Sequence, residues 1–393
     1  MSTIRLHELV VRPEGVGEFV VGRVDTGTFV VLPQIGVDVI DALRAGSTVD
    51  QAAESTGADV SEFVEELLAL GFVRSIGERE FGGESPSSTL SWLTAAHVRW
   101  LFSRPVAIVY CVLLAAGAWA VVGKPAILPH SHDFFWARYP GLVMVGNFAL
   151  FVVLLGAHEL AHLVAARSLG APARMTLGTR LHHLVVQTDV SALWAVPRQQ
   201  RYRAYFAGLA CDAAALSAFF LLARLTPVST VFEAAALMVV FGMTQQLCLY
   251  MRTDMYFVVQ DAFHCGNLFE DALGYLRSRL RRGSSDPTAG LAERERRLVR
   301  AYALVVAVGT TAALTIYAIF GIPILVTVVE RALHETRTGF ANGSVGRAAD
   351  GLVSLAIELG LLGIFVATFI RTHATVRLAW VRGSVMGAIA RRG

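Results

Sequence analysis

The sequence predicts a mainly α-helical polytopic membrane protein, with about six membrane-crossing helices behind a small α+β domain. Three observations carry that prediction. Hydrophobic residues make up 54% of the 393 residues and charged ones only 17%, for a mean hydropathy of +0.55. Several runs reach the roughly 20 apolar residues that a bilayer crossing needs. Residues 1–80 break this pattern: six arginines face fourteen acids, a net charge of −8 in a chain whose total is +3.

Within residues 1–80, Glu18 to Gly22 and Thr28 to Leu32 are β-prone runs around Asp25-Thr26-Gly27, a hairpin signal. A helix follows from about Gly36 to Arg44. Ser47-Thr48-Val49-Asp50 has the form of a capping box that opens a second helix. Asp59 is placed to cap a third, whose apolar face uses Phe63, Val64, Leu67 and Leu70, and Gly71 ends it. Phe72-Val73 returns as a strand. Hairpin, three helices and strand make a winged-helix-like order. Such modules often bind DNA, but a nucleic-acid surface needs a basic footprint, so the acidic charge excludes nucleic acid as a partner.

Thr28-Phe29-Val30-Val31-Leu32 and Leu67-Leu68-Ala69-Leu70-Gly71-Phe72-Val73 carry a resemblance to PqqD-like domains. These hold the leaders of ribosomally made, modified peptides. The resemblance implies a peptide-binding domain over 1–80, with the leader added to a sheet edge; a structural or autoregulatory module is the alternative. Residues 81–104 read as a flexible linker, with the Gly/Ser/Pro-rich run Phe81-Gly82-Gly83-Glu84-Ser85-Pro86-Ser87-Ser88 as its tether.

Residues 105–393 form the membrane domain, with expected spans at 105–123, 141–166, 204–223, 234–251, 301–329 and 351–370. Cationic residues orient it. With a cytoplasmic N-terminus, one side receives Arg99 and Arg104, six arginines between 167 and 203, nine between 252 and 300, and five in the tail. The other side holds Lys124, Arg138, Arg331, Arg337 and Arg347, with Arg224 at a boundary. Both termini are therefore expected in the cytoplasm of a multi-pass cell-membrane protein. Met1 to Val20 is mixed and acidic and lacks the basic-then-apolar form of a cleavable signal. Cys111, Cys211, Cys248 and Cys265 make no C-x-x-C pair and suggest no disulfide framework.

The second span contains His158-Glu159-Leu160-Ala161-His162, an H-E-x-x-H pattern. Positions four apart lie on one face of a helix, so both imidazoles can reach one Zn²⁺. Glu159 stands where a general base for metal-activated water belongs. The bland reading is a helix with two satisfied histidines. Ionisable residues inside a span are costly, however, and usually mark function. His162 precedes Arg167 by five residues, ~7–8 Å of helix, which places the metal near the cytoplasmic face.

An open zinc site usually keeps three protein ligands. The third should lie at the same depth, and Asp254 sits between Met251 and the apolar run Met255 to Val259. A helix cap is the alternative role for it. The pair His158-Glu159-Leu160-Ala161-His162 and Asp254 resembles the site-2 protease family of intramembrane zinc metalloproteases. Thr253 to Asp261, with Asn267-Leu268 downstream, resembles its peptide zinc metalloprotease branch. That branch typically has Asp-Gly-Tyr-Tyr where this chain has Asp254-Met255-Tyr256-Phe257, so a turn-permissive glycine is lost.

The resemblance implies Asp254 as the third ligand, with Asp261 as second choice. Gly208-Leu209-Ala210-Cys211-Asp212 falls where the family has Gly-Pro-x-x-Asn, so Asp212 reads either as a residue that orients substrate or site or as one that pairs with another buried polar residue. Residues 174–194 correspond to strands that dip to the site, a short membrane-associated β segment. Asn147, eleven residues before His158, can share the metal-facing side or pack helices. Gln245 and Gln246 read as interhelical bonds, Glu358 as a packing or gate contact, and His182, His183 and His264 as non-ligands.

The function expected is an intramembrane zinc endopeptidase that cleaves a leader-bearing precursor peptide in the maturation of a modified peptide. The alternatives are a regulatory protease, which releases a membrane-bound transcription regulator or clears signal-peptide remnants, and a non-catalytic exporter or immunity protein. The expected partners are the precursor peptide and the lipid bilayer, and the sequence leaves homo-oligomerisation open.

Overall fold

Local signals in the first 80 residues produce two small sheets around three helices. The computed structural model describes residues 4–390 except 16, 82–86, 182 and 282–285, with backbone alone over 372–390. Most of the glycine-rich tether and His182 therefore lie outside the described residues. Strand β1 (Ile4–Leu6) precedes β2 (Val10–Gly15), β3 (Glu18–Arg23) and β4 (Thr28–Pro33). The last three form an antiparallel meander in the order β2-β3-β4, with Val20 opposite Val31. Gly27 closes the β3–β4 turn at φ 71°, a conformation that suits glycine.

Helices α1 (Gln34–Arg44), α2 (Val49–Thr56) and α3 (Val60–Ala69) follow. The capping box of α2 uses Thr48 with Gln51, one residue later than Ser47 with Asp50: the longer amide of Gln51 reaches back to the Thr48 N–H at 2.9 Å. Asp59 accepts from the Ser61 and Glu62 amides and caps α3. Strands β5 (Val73–Ile76) and β6 (Arg79–Glu80) join β1 in the second sheet. Val21, Ile40, Leu43, Leu67 and Phe72 are buried in the core beneath. The short strands β1, β2 and β6 have no alternating apolar pattern and go beyond the predicted hairpin.

From Thr89 onward the linker expected over 81–104 makes backbone bonds. The Thr89 amide donates to Ala173 O (3.2 Å), Arg167 donates to Thr89 O (3.0 Å), and Met175 N donates to the Thr89 hydroxyl (2.9 Å). These bonds fix the backbone before α4 (Ala95–Val98) and a 3₁₀ turn over Arg99–Phe102.

The rest is mainly helical: α5 (Arg104–Gly123), α6 (Pro140–Ser168), a β hairpin of β7 (Arg174–Arg180) and β8 (His183–Asp189), α7 (Arg198–Tyr205), α8 (Ala207–Leu225), α9 (Ser229–Gln245), α10 (Asp254–Ala262), α11 (Leu268–Leu280), α12 (Glu293–Ile316), α13 (Ile322–Ala341) and α14 (Val345–Ala390). Among the described residues, five helical stretches are long and apolar enough to cross a membrane: 104–123, 140–168, 198–225, 293–341 and 345–371. By this measure the chain is a membrane protein.

The fourth expected span, 234–251, is instead α9, whose 17 residues give ~26 Å of helix against a hydrocarbon core of ~30 Å. The helix stops at Gln245, and the chain turns through Leu249–Met251. The fourth stretch, 293–341, runs past the expected 301–329, with a π turn at Tyr317–Gly321 just before Pro323. A wide turn there accommodates a ring that cannot donate and that crowds the preceding turn.

The chain divides into two compact units, and α6 contributes to both. One comprises 1–106, 160–175 and 188–207; the other comprises 107–159, 176–187 and 208–393. In the first unit, a 3₁₀ turn over Ser191–Ala195 packs on the β2-β3-β4 sheet, with Gly27 against Ser191. In the second, Tyr256, Leu268, Val299 and Tyr302 form a buried cluster that joins α10, α11 and α12.

Candidate metal centre

Helix α6 begins at Pro140, where a missing amide proton costs nothing, and ends before Gly170 at φ 79°. Its 29 residues are almost all apolar, so the three ionisable residues of one turn stand out. His158, Glu159 and His162 are buried, at 6%, 8% and 5% exposure.

Each histidine is held through the nitrogen that would not face a metal. His158 Nδ1 lies 2.9 Å from Asp212 Oδ2 on α8. His162 Nδ1 lies 2.7 Å from the Ala204 carbonyl, in the last turn of α7. Residues at a helix end leave carbonyls without intrahelical partners, and the interruption between α7 and α8 at Phe206 creates such an end. A carboxylate and a carbonyl both accept, so each imidazole can donate from Nδ1, which leaves Nε2 as the atom that can face a metal. This is the outer-shell arrangement that orients metal-binding histidines.

Asp254 arrives there by an irregular route. After α9, Arg252 adopts a left-handed conformation at φ 55°, and Asp254 is the first residue of α10. Its Oδ2 lies 2.9 Å from His158 Nε2. Gln246 steadies the turn: its Oε1 accepts from the Asp254 amide (3.1 Å), and its Nε2 sits 3.3 Å from His158 Nε2. The glycine missing after Asp254 is not needed, because Met255 is helical and the left-handed residue, Arg252, lies before Asp254. Thr253, not Asp254, occupies the cap position of α10.

Ligand atoms of His158, His162 and Asp254 all lie within 4.8 Å of one another. Two buried imidazoles and one partly buried carboxylate match the donor set of an open tetrahedral Zn²⁺ site. The residues fit the metal.

Arg180, at the end of β7, reaches this region. Its Nη1 donates to the Arg252 carbonyl (2.7 Å) and its Nη2 to Gln187 Oε1 (2.9 Å), which pins the left-handed residue to the hairpin. Burial pushes the guanidinium below its ordinary pKa and Arg252 adds to that, while Asp254 and Glu159 pull the other way. A positive charge thus faces the two carboxylates.

Asn147 does not share the metal-facing side. It accepts from Trp136 Nε1 (2.9 Å) and donates to Phe134 O (3.1 Å), a packing role within the start of α6. Asp261 is buried but lies ~10 Å further along α10 than Asp254, outside the ligand group. Asp212 orients His158. His264 is exposed at φ 64° with Nδ1 beside Ala262 O, and Glu358 is half-buried on α14.

Arg180 and the Ala204 carbonyl are the parts that sequence reasoning missed, while Gln246, read as an interhelical bond, meets His158 of α6. Two adjacent glutamines at the end of an apolar helix were the one available signal. Among the described residues, His130, His132 and Asp133 form a second group at ligand distance. Comparison of the chain with protein-family models, with curated proteins and with solved structures finds no match in any of the three.

Proposed function

We propose that the chain is an intramembrane zinc endopeptidase acting on a leader-bearing precursor peptide. The observation that carries this reading is the convergence of His158, His162 and Asp254, with each imidazole fixed through Nδ1. Zinc held by these residues would polarise the scissile carbonyl and acidify water. Glu159 takes the proton of the attacking water as its oxygen bonds to the carbonyl carbon. It then delivers that proton to the amide nitrogen as the C–N bond breaks. Arg180 keeps a positive charge near Glu159 and Asp254.

Residues 1–80 supply the leader-binding module in this reading. Strand β4 ends the β2-β3-β4 sheet, and Val31 on it is exposed, which suits addition of an extended peptide. The arginine distribution supports cytoplasmic termini with the metal near the cytoplasmic face. That topology requires α9 to cross as a short helix with local thinning of the bilayer. The arginine-rich stretch 252–300 then shares a side with 167–203.

The test is mass spectrometry of the precursor co-expressed with wild type or Glu159→Gln, alongside the zinc content of both proteins. Wild type should cleave, and the variant should keep its zinc and lose cleavage. A variant that cleaves at the wild-type rate would sink the mechanism.

A further inference from the structure

The support of His162 continues beyond Ala204 into the N-terminal strands. Arg201, one turn earlier on α7, is fully buried. Its Nε donates to Val196 O (2.8 Å), its Nη2 to Trp194 O (3.2 Å) and to Glu14 Oε2 (3.0 Å), and its guanidinium lies 4.5 Å over the Trp194 ring. Glu14 is on β2. Its other oxygen accepts from Arg198 at 2.9 Å, and Arg12 pairs with it as well. One largely buried carboxylate thus gathers three guanidinium groups, two from α7 and one from its own strand.

We propose that Glu14 and Arg201 are positioning residues of the metal centre: the seating of β2 against α7 sets the Ala204 carbonyl that orients His162. Three links carry this. The planar fork of Arg201 fixes α7 against both Glu14 and the preceding turn, a geometry that a lysine could not reproduce. Arg201 and Ala204 are ~4.5 Å apart along one short helix, so a shift or rotation of α7 moves both. Ala204 O then determines which ring nitrogen of His162 carries the proton, and so whether Nε2 can serve as a ligand. Removing the Glu14 charge takes away the carboxylate that Arg12, Arg198 and Arg201 share, and the change acts directly on α7.

Under this inference the N-terminal domain completes the site as well as delivering peptide to it. The inference rests on the metal-centre reading above.

Zinc affinity, measured by chelator competition on full-length protein in detergent, tests it without reference to any substrate. Glu14→Gln should weaken zinc binding about tenfold, towards the lower end of what outer-shell changes cost. Glu14→Asp should restore most of it. Arg23→Gln disturbs the same domain elsewhere, at the Arg23 bonds to Asp25 and Gly71 O, and should leave affinity unchanged. Should Glu14→Gln fail to fold, Arg198→Gln removes one clamp on the carboxylate and should weaken zinc about threefold. Wild-type affinity in Glu14→Gln, or in Arg198→Gln where that variant stands in, overturns the coupling and leaves the peptidase reading intact. An equal loss in Arg23→Gln overturns it too, by showing general destabilisation. A wild-type protein that binds no zinc removes the metal centre and this inference with it.

Discussion

His158, His162 and Asp254, and the trio His130, His132 and Asp133 that precedes α6 in the chain, each bring two histidines and one aspartate to ligand distance. Their surroundings differ. In the first group both rings are buried, and each is held from behind by Asp212 or by the Ala204 carbonyl. In the second, both histidines are exposed and their rings stack 5.2 Å apart. Asp133 there is occupied as a turn cap that accepts from the His130 amide at 2.6 Å. Composition and spacing alone do not make a metal centre. Burial and a second partner for each ring set the proposed centre apart, because they favour one ring orientation before a metal arrives.

The largest effect that would test this contrast is at a ligand. His162→Ala should abolish zinc retention and lower cleavage by more than the ~10–100-fold that an outer-shell partner costs. His132→Ala should leave both unchanged. Metal analysis and mass spectrometry of product read the two variants, and zinc loss in His132→Ala would erase the distinction. A smaller effect sharpens it. Asp212→Asn should keep the fold and weaken zinc binding ~10–100-fold in chelator competition. Asp133→Asn should not move zinc affinity, since its carboxylate caps a turn.

Much of this centre was legible because its signals are local. His158, Glu159 and His162 follow from helical spacing, and Asp254 from its depth beside an apolar segment. The N-terminal helices were legible through Thr48, Asp59 and Gly71, which act on their own neighbours. What escaped were interactions between distant segments. The Ala204 carbonyl has no side-chain signature, and Gln246 looks like any interhelical amide until the turn at Arg252 folds Asp254 back to it.

The pairing of Glu14 with Arg201 spans 187 residues and leaves no trace in either local pattern. Hydropathy also overstated α9. The run 234–251 is apolar enough, but the chain leaves the helix at Gln245, where the two glutamines offer side-chain bonds that compete with the helical pattern. Asn147 failed for a related reason: helical spacing gives its face on α6, while its partners Trp136 and Phe134 come from the preceding loop.

Zinc-edge X-ray absorption on the purified full-length protein tests the central claim most directly. A single zinc per chain should show two imidazole nitrogens and oxygen neighbours at ~2.0–2.2 Å, with one imidazole lost in His158→Ala. A sulfur shell, an all-oxygen shell, or no retained zinc would contradict the three-ligand centre on α6 and α10.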